Sequence, residues 1–591
     1  MADRSPPRAS KRALATVVAL GALLSIPNLF VGPLHDDLVH QLVLEGMFDL
    51  PDDPLGLYEF THGEASNREM IARGWLHWWT DPQLTLRFFR PLSSALLAID
   101  HALFGRAAFP SHLHSLLWGV LLFATAAALM RRCLDARTAV IASLVYAVAG
   151  AHVMTLAWPA SRHTMVSAAL GGLALVLHLR WREDRRPVAA IGAPFALALS
   201  LLASETGLAA AIYVLTYEAM VATGSPRDRA RAALPTLVVC GAYVAFYVLA
   251  GYGAHHSGTY TSPFREPLSF ALVASARVPA LLAEAIGAVS TFAYSTDPTS
   301  RVILVTWGLV SIAGSFGLLA VVRRSGDADG YRRLRWLFVA CVTSLVPMVA
   351  GLIGPRMLPM GLFGASAMVG SAITVAWRAS RERRGAARHA LAGLAIAIAI
   401  AHVGLGSLVR LTVPFAFAAV AEAERRLATE GESGGCTSSG LVYLINGADA
   451  VLSVYAAPSI AYYSPQAVGP DARFRVLASA PHDLQVERTG ERTMTVASAV
   501  RPRGENIFEQ VFRSHEHPLR EGDTVVAEEM TIRVLEMDPE GPASFEVELD
   551  RSLDDERVCL IVWRDGALRR IAPPGVGESL TVAHEPGPMG M

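Results

Sequence analysis

Long apolar runs separated by short arginine-rich links are the feature that most restricts how this chain can fold. They recur between residues 13 and 412, and in the whole chain 52% of the residues are hydrophobic and only 17% charged. Because backbone polar groups inside a bilayer must be hydrogen-bonded within the chain, runs of roughly 20 apolar residues predict transmembrane helices. The net charge of −1 gives no bulk electrostatic reason to expect nucleic acid as a partner.

The first run, 13–34, follows Lys11 and Arg12 and contains no small-x-small cleavage site. We therefore predict an uncleaved first helix whose N-terminal segment, 1–12, is cytoplasmic. Ten further spans are predicted at 111–130, 138–157, 164–181, 188–203, 206–223, 235–253, 302–322, 336–354, 360–378 and 389–412. Together these form a transmembrane domain over 13–412.

The arginine-rich links fall on one side of this arrangement, at 131–137, 180–186, 227–231, 323–335 and 378–388. An excess of arginine in short loops indicates the cytoplasmic side. The pattern requires that the charged apolar segment 268–290 lies on the outer surface as an amphipathic helix. It also requires that the short run 92–104 is interfacial or re-entrant, because it is too short to span. Eleven crossings then place the C-terminal domain outside, together with the outer loop 35–110.

A change in composition near residue 430 indicates a second domain. After a linker at 413–430, short β-branched runs alternate with Gly, Pro and Asp turns, which predicts a β-rich soluble domain at 431–583, as a sandwich or a small barrel. The tail 584–591 is predicted to be disordered. Cys436 and Cys559 bracket the domain and could pair if it lies outside the cytoplasm. The predicted fold class is a polytopic α-helical membrane protein with a C-terminal β-rich soluble domain.

An acidic pair, Asp36 and Asp37, follows the first span directly and begins a polar segment, 35–90, with ten acidic residues against four arginines. Ionisable groups held at a membrane interface are costly, so they are candidates for function. The alternative is that they only end a helix in the headgroup zone. The tryptophans of the motif 74–79 suit the headgroup layer or, equally, packing within the loop.

Further polar side chains lie at the outer ends of other spans: Arg90, Arg162, His163, Glu205 and Arg356. Several helices could therefore direct carboxylates and guanidinium groups into one cavity, an arrangement suited to holding an anionic lipid head group beside a base. The arginines could instead anchor helices by reaching to phospholipid head groups, and Glu205 could be solvated. The chemistry that needs such parts is sugar transfer from a lipid phosphate.

The sequence resembles the integral-membrane glycosyltransferases of the GT-C fold, in particular the protein O-mannosyltransferase-like group and the membrane region of the transmembrane-and-TPR proteins. The resemblance covers residues 14–360. The motifs that carry it are His35-Asp36-Asp37, Phe89-Arg90-Pro91-Leu92, Asp100, Leu103-Phe104-Gly105, Pro110 leading into His112-Leu113-His114-Ser115-Leu116-Leu117, Ala157-Trp158 with Ser161-Arg162, Leu202-Ala203-Ser204-Glu205-Thr206, and Tyr217-Glu218. No tetratricopeptide repeats follow.

The resemblance implies that Asp36 is the catalytic base and Asp37 a neighbouring acidic ligand or positioning group. It also implies that Arg162, Glu205 and Arg356 lie near the lipid phosphate, and Arg90 and His163 are added as candidates for the same role. The chain departs from the family pattern at three positions: Ser204 replaces a Lys, Thr164 an Asp and Met357 a Tyr. These departures leave open altered donor choice or low activity.

The predicted function is therefore that of a membrane glycosyltransferase moving a sugar, with inversion, from a polyprenyl-phosphate donor to an acceptor hydroxyl of a glycan, lipid or protein. A divalent metal is possible but not implied, because the adjacent acids are not an Asp-x-Asp pair, and no metal ligands are assigned. The predicted location is a bacterial inner membrane with a periplasmic C-terminal domain. The rival readings are an inactive GT-C-like protein that displays a binding domain, and a transporter of lipid-linked substrates.

Overall fold

The computed structural model describes residues 9–47, 53–294, 297–431, 436, 440–465, 473–498, 507–538 and 541–587. The predicted N-terminal segment and C-terminal tail fall partly outside these residues. Within them, a helical bundle is followed by a β-rich part, which confirms the predicted fold class of a polytopic helical protein with a C-terminal β-rich domain.

Nine helices in the described ranges are long and apolar enough to cross a membrane: Lys11–Phe30, Ala108–Cys133, Pro159–Asp184, Pro226–Leu249, Pro267–Ala285, Pro298–Arg324, Ala328–Ala350, Gly361–Glu382 and Gly385–Thr429. Eight of these coincide with predicted spans. The other three predicted spans correspond to shorter apolar helices at Ala136–Val148, Pro187–Ala203 and Gly207–Met220. Short helices also form at Asp36–Leu44, Glu64–Arg73, Pro91–Phe104 and His152–Ala157.

The helix Pro267–Ala285, predicted as an amphipathic helix on the outer surface, packs closely against other helices. It packs lengthwise against Pro298–Arg324, where Gly308 leaves no room for a side chain because the Pro279 carbonyl occupies that space. The indole of Trp307 donates to the Gly287 carbonyl at 3.0 Å. The helix is therefore part of the bundle, and its length and apolarity are those of a candidate span.

The arginine-rich links meet at one end of the bundle, as the sequence predicts. Arg132 pairs with Glu183 at 2.8 Å, and Arg333 reaches the same carboxylate at 2.7 Å. Arg378 pairs with Asp135 at 2.9 Å. Asp36, Arg356 and the β-rich domain lie at the opposite end. The contacts between links from four parts of the chain show that these links share one face.

The predicted linker at 413–430 is helical. The chain forms Gly385–Ala399, a single π-helical turn at Ile400–Gly404, and then Leu405–Thr429, so one continuous 45-residue rod runs from the arginine-rich face into the β-rich domain. The residues on its inward face are largely small and apolar, and this helical periodicity extends beyond the predicted end of the span at 412.

The β-rich domain contains two sheets and is not purely β. A four-stranded sheet pairs Leu441–Leu444 in parallel with both Arg473–Val476 and Val558–Arg564, and Ala567–Ile571 is antiparallel at its edge. The helix Ala450–Tyr463, here called the cap helix, connects the two parallel strands Leu441–Leu444 and Arg473–Val476. A six-stranded antiparallel sheet follows, in the order Ser579–Val582, Leu484–Arg488, Thr493–Ser498, Gly541–Leu549, Met530–Asp538 and Thr524–Val526.

Both sheets contribute to one hydrophobic cluster, which also includes Trp78 and Trp79 from the outer loop of the membrane part. The indole of Trp78 donates to the Leu477 carbonyl at 2.9 Å. These tryptophans therefore pack within the protein. This is the second of the two roles considered for them from the sequence, in place of contact with lipid head groups. Cys436 and Cys559 form a disulfide with their Cα atoms 5.7 Å apart. The described part of the tail is also packed, since the Gly587 amide donates to the Ala448 carbonyl at 2.9 Å.

Candidate active site

A cavity of about 370 Å³ lies between the β-rich domain and the end of the helical bundle opposite the arginine-rich links. The lining is mostly apolar and aromatic and comes from the outer loop, the bundle, the cap helix and the strand Arg473–Val476. Asp36 and Arg356 both line it, together with Trp158, Tyr260 and Tyr455. The cavity therefore combines a carboxylate and a guanidinium group with a large apolar surface.

Asp36 is the first residue of the helix Asp36–Leu44, where a carboxylate is favoured by the unpaired backbone amides and the positive end of the helix dipole. Its Oδ1 accepts a hydrogen bond from the Tyr455 hydroxyl of the cap helix at 2.5 Å. The described residues thus place the predicted base in the cavity wall, with a hydroxyl group already donating to it.

His35 packs beside Asp36 and fixes the position of the residues around it. Its φ of 50° is uncommon for a residue with a side chain, and the conformation is held because Glu424 accepts from both the His35 amide, at 3.2 Å, and Nδ1, at 2.6 Å. The imidazole stacks on Tyr455 with ring centroids 4.9 Å apart and meets Trp158 edge-on. Burial lowers the pKa of His35, but the Glu424 carboxylate outweighs it, so the net shift of the pKa is upward.

Asp37 points away from the cavity into the protein. Its Oδ2 accepts from the Leu34 amide at 3.0 Å and its Oδ1 from the Ala160 amide at 2.6 Å. Burial raises the pKa of this carboxyl to about 7, although the two backbone donors act in the opposite direction. These contacts give Asp37 a positioning role, since it ties the chain before Asp36 to the turn Pro159–Ser161.

Arg356 lies in the one-turn helix Pro355–Met357, and its guanidinium group stands over the Trp158 ring at 5.5 Å. The cavity is also lined by Arg475, but that guanidinium group is held by the buried Glu529 at 2.5 Å. Among the described residues no carboxylate pairs with Arg356. Of the two arginines in the lining, Arg356 is therefore the one available to an anionic ligand.

Three of the other predicted residues form a second cluster. Arg90 donates to Glu205 at 3.0 Å and lies 3.1 Å from Nε2 of His163. The Tyr247 hydroxyl also donates to Glu205, at 3.2 Å. Tyr58 separates the cluster from the acidic pair, with its ring 5.0 Å from the Arg90 guanidinium group and its hydroxyl donating to the Ala160 carbonyl. Arg90, His163 and Glu205 are brought together, but they do not line the Asp36 cavity.

Arg162 lies in a third, buried cluster. Its Nη2 donates to Asp100 at 2.7 Å and to the Ser111 hydroxyl at 2.9 Å, and its Nη1 lies 2.8 Å from Nδ1 of His114. Only 3% of the Arg162 side chain is exposed. Arg162 therefore lies outside the group of residues that surrounds the cavity, and its contacts serve to hold three helices together.

Sequence reasoning missed two residues of the cavity corner, Tyr455 and Glu424. Tyr455 belongs to an apolar helix in the C-terminal domain, and nothing in its local sequence indicates the contact with Asp36. Glu424 had a usable signal, because it lies on the buried stripe of Leu405–Thr429 together with Val420, Ala421 and Leu427. A charged residue at an inward helical position predicts a buried partner.

No family model and no curated protein sequence matches this chain. Several solved structures resemble it. ArnT from Cupriavidus metallidurans bound to undecaprenyl phosphate is 17% identical, with 78% of this chain and 90% of that chain covered and a TM-score of 0.39. The oligosaccharyltransferase AglB from Archaeoglobus fulgidus, in complex with an inhibitory peptide and a dolichol-phosphate, is 14% identical over 77% of this chain and 64% of that chain, with a TM-score of 0.43.

The arabinofuranosyltransferase AftD from Mycobacteria is 14% identical, with 92% of this chain and 40% of that chain covered and a TM-score of 0.38. The roles of individual residues are inferred from the contacts of this chain.

Proposed function

We propose that this protein is a membrane glycosyltransferase that moves a sugar from a polyprenyl-phosphate donor to an acceptor hydroxyl, with Asp36 as the general base. The observation that carries the proposal is that Asp36 and Arg356 line one cavity at the face opposite the arginine-rich links. A base and an anion-binding group facing one hollow is what transfer from a lipid phosphate requires.

In the proposed step, Asp36 takes the proton of the acceptor hydroxyl while the acceptor oxygen attacks the anomeric carbon of the donor. The bond between that carbon and the phosphate oxygen breaks, and polyprenyl phosphate leaves with both bonding electrons. Attack opposite the leaving group inverts the anomeric configuration. Arg356 stabilises the negative charge that grows on the departing phosphate, because its guanidinium group is free of carboxylate partners within the described residues.

The hydrogen bond from Tyr455 to Asp36 supports the assignment of the base. A hydroxyl group at 2.5 Å from Oδ1 stands where an acceptor hydroxyl would donate before it loses its proton. The apolar and aromatic lining is suited to the first isoprene units of the donor, and aromatic faces are suited to sugar rings. Asp37 is assigned a positioning role, because both of its oxygens are bound by backbone amides.

We further propose that the arginine-rich face is cytoplasmic, as the excess of arginine in these links indicates. The cavity and the β-rich domain then lie on the outer side of a bacterial inner membrane. The acceptor would approach from the β-rich domain and the lipid donor from the bundle, since both parts contribute to the wall.

The test is transfer by the purified full chain in lipid nanodiscs, supplied with labelled polyprenyl-phosphate sugars and a membrane extract as the source of acceptor. We expect release of polyprenyl phosphate with at least one donor, and a loss of about 100-fold or more in Asp36→Asn. The matched control is Glu69→Gln, an exposed acid of the same outer loop whose surface pair with Arg73 contributes little. Wild-type rates in Asp36→Asn, or no release with any donor, would contradict the proposal.

A further inference from the structure

A group of metal-ligand side chains lies outside the cavity, where three distant segments of the chain meet. Asp81 comes from the outer loop, His256 follows the short strand Gly253–His255, and His517 belongs to the C-terminal domain. One ligand atom of each lies within 4.8 Å of the others. Nδ1 of His256 is 2.8 Å from Oδ2 of Asp81, and the imidazoles of His256 and His517 stack in parallel with centroids 4.1 Å apart.

We propose that Asp81, His256 and His517 bind a divalent transition metal of the zinc class, with water as the fourth ligand. Two imidazole nitrogens and one carboxylate oxygen form a ligand set that Zn²⁺ accepts, at about 2.0–2.2 Å from each atom. Ligand atoms at the corners of such a tetrahedron are roughly 3.3 Å apart. One pair of ligand atoms is 2.8 Å apart and all three lie within 4.8 Å of one another. Reaching the tetrahedral spacing therefore needs shifts of up to about 1.5 Å, which His517 can supply because its side chain is exposed.

The backbone around the three ligands is already fixed by hydrogen bonds between the same segments. The Asp81 amide donates to the Phe512 carbonyl at 2.9 Å, and the Ser514 amide donates to the His256 carbonyl at 3.0 Å. The side chain of Arg513 donates to the Trp79 carbonyl at 2.7 Å. The backbone of the three segments is therefore positioned before any ion arrives, and only side chains have to move, which reduces the ordering cost of binding.

Burial and access both favour an ion at this place. The side chains of Asp81 and His256 are only 8% and 11% exposed, so a carboxylate is held beside an imidazole with little water around it. The ion pair of Asp81 with His256 and the stacking of His517 on His256 account for the contacts of these side chains as they stand. To bind the same ion as His256, His517 must turn out of the stack, and its exposed side chain leaves it room to do so and leaves a path for entry.

The consequence would be a clamp between the membrane part and the C-terminal domain. Phe512, whose carbonyl accepts from Asp81, also lines the cavity, so the clamp would hold one wall of the cavity in place. Metal binding of this kind stabilises the folded state, because the unfolded chain does not bring residues 81, 256 and 517 together.

The test is metal binding, which does not depend on any transfer activity. The full chain in detergent is stripped with a chelator and dialysed, and Zn²⁺ is then added and measured by competition with a zinc indicator and by elemental analysis. We expect about one Zn²⁺ per chain and a higher thermal unfolding midpoint with zinc than without it. Both effects should disappear in His517→Ala, whose exposed side chain makes misfolding a poor explanation for the loss.

The matched control is His515→Ala, which removes an exposed histidine two residues away and should bind zinc as the wild type does. Zinc binding that is unchanged in His517→Ala, or absent in the wild type, would overturn the proposal. X-ray absorption spectroscopy of the zinc-loaded wild type is a second test of the ligand set. A first shell with two imidazoles at about 2.0–2.1 Å supports the site, and a shell without imidazole contradicts it.

Discussion

The Tyr455 hydroxyl donates to Oδ1 of Asp36 at 2.5 Å, joining residues that lie 419 positions apart in the chain. The contact connects the cap helix of the C-terminal domain with the first turn after the opening membrane helix. It also means that the proposed base carries a hydrogen bond before the acceptor arrives.

Removing this hydroxyl tests whether Tyr455 competes with the acceptor. In Tyr455→Phe, we expect the Michaelis constant for the acceptor to fall by up to about tenfold, because no hydrogen bond to a charged oxygen has to be exchanged. The measurement is initial rates over a series of acceptor concentrations at saturating donor. A fall in kcat of about 100-fold with an unchanged Michaelis constant would instead show that Tyr455 orients the base.

Arg356 is expected to act on the leaving phosphate. Arg356→Gln should lower kcat/KM by about 100-fold, the usual effect of removing one donor from a developing oxyanion, and Arg356→Lys should retain part of the rate. The matched control is Arg384→Gln, an exposed arginine at the arginine-rich face, for which no change is expected. Equal activity of Arg356→Gln and the control would contradict the proposed role.

Arg162 is expected to act on stability, because its guanidinium group is buried against Asp100. Arg162→Met alone should cost up to about 3 kcal/mol of unfolding free energy, since the buried Asp100 carboxylate loses its guanidinium partner and keeps only His114 and Ser111. The double variant Asp100→Leu with Arg162→Met should recover much of this loss. The measurement is the unfolding midpoint in detergent across the double-mutant cycle. An Arg162→Met protein as stable as the wild type but inactive would restore the phosphate-binding role.

The ion pair between His35 and Glu424 predicts that the stability of the folded protein depends on pH. Because the pKa of His35 is raised in the folded protein, the folded state binds the proton more tightly, and the pair contributes its full stabilisation below the unfolded value of 6.5. This contribution is lost as the pH rises through the higher folded pKa. The unfolding midpoint should therefore fall above pH 6.5 in the wild type and less so in His35→Gln. Parallel pH profiles would contradict the assignment.

The disulfide between Cys436 and Cys559 tests the proposed orientation of the chain. It closes a segment of 123 positions, so its removal should cost roughly 4–5 kcal/mol in the loop-entropy model. A disulfide persists on the outer side of the membrane and is reduced in the cytoplasm. Mass spectrometry of protein from alkylated cells should therefore find both cysteines oxidised. Free thiols at both positions would place the β-rich domain in the cytoplasm.

The sequence predicted most helices because long apolar runs are a local signal. Short helices such as Gly207–Met220 were also predicted, because polar motifs on either side mark where their apolar runs begin and end. The segment 268–290 was predicted as a surface helix because of its charge, and local sequence did not show that Arg277 donates to the backbone carbonyls of Val349 and Gly351 within the bundle.

The site was predicted less completely, for a physical reason. Arg162 and Arg356 are alike in sequence, since both lie at the outer ends of helices. What separates them is a neighbour distant in the chain: Asp100 pairs with Arg162, while Arg356 has no carboxylate partner among the described residues and faces the cavity. The partners Tyr455 and Glu424 belong to segments hundreds of residues from Asp36. Their contacts depend on how the two parts of the protein dock, which no local pattern records.

The course of the rod Gly385–Thr429 bears on how a substrate can enter. Its backbone hydrogen bonding changes at the π-helical turn Ile400–Gly404 and at Pro414, so bending of the rod is expected at these two points. Rotation of the Tyr455 side chain away from Asp36 is a smaller movement that would open the cavity rim. Because the same rod packs against the cap helix that carries Tyr455, a shift of the rod is expected to displace that wall of the cavity with it.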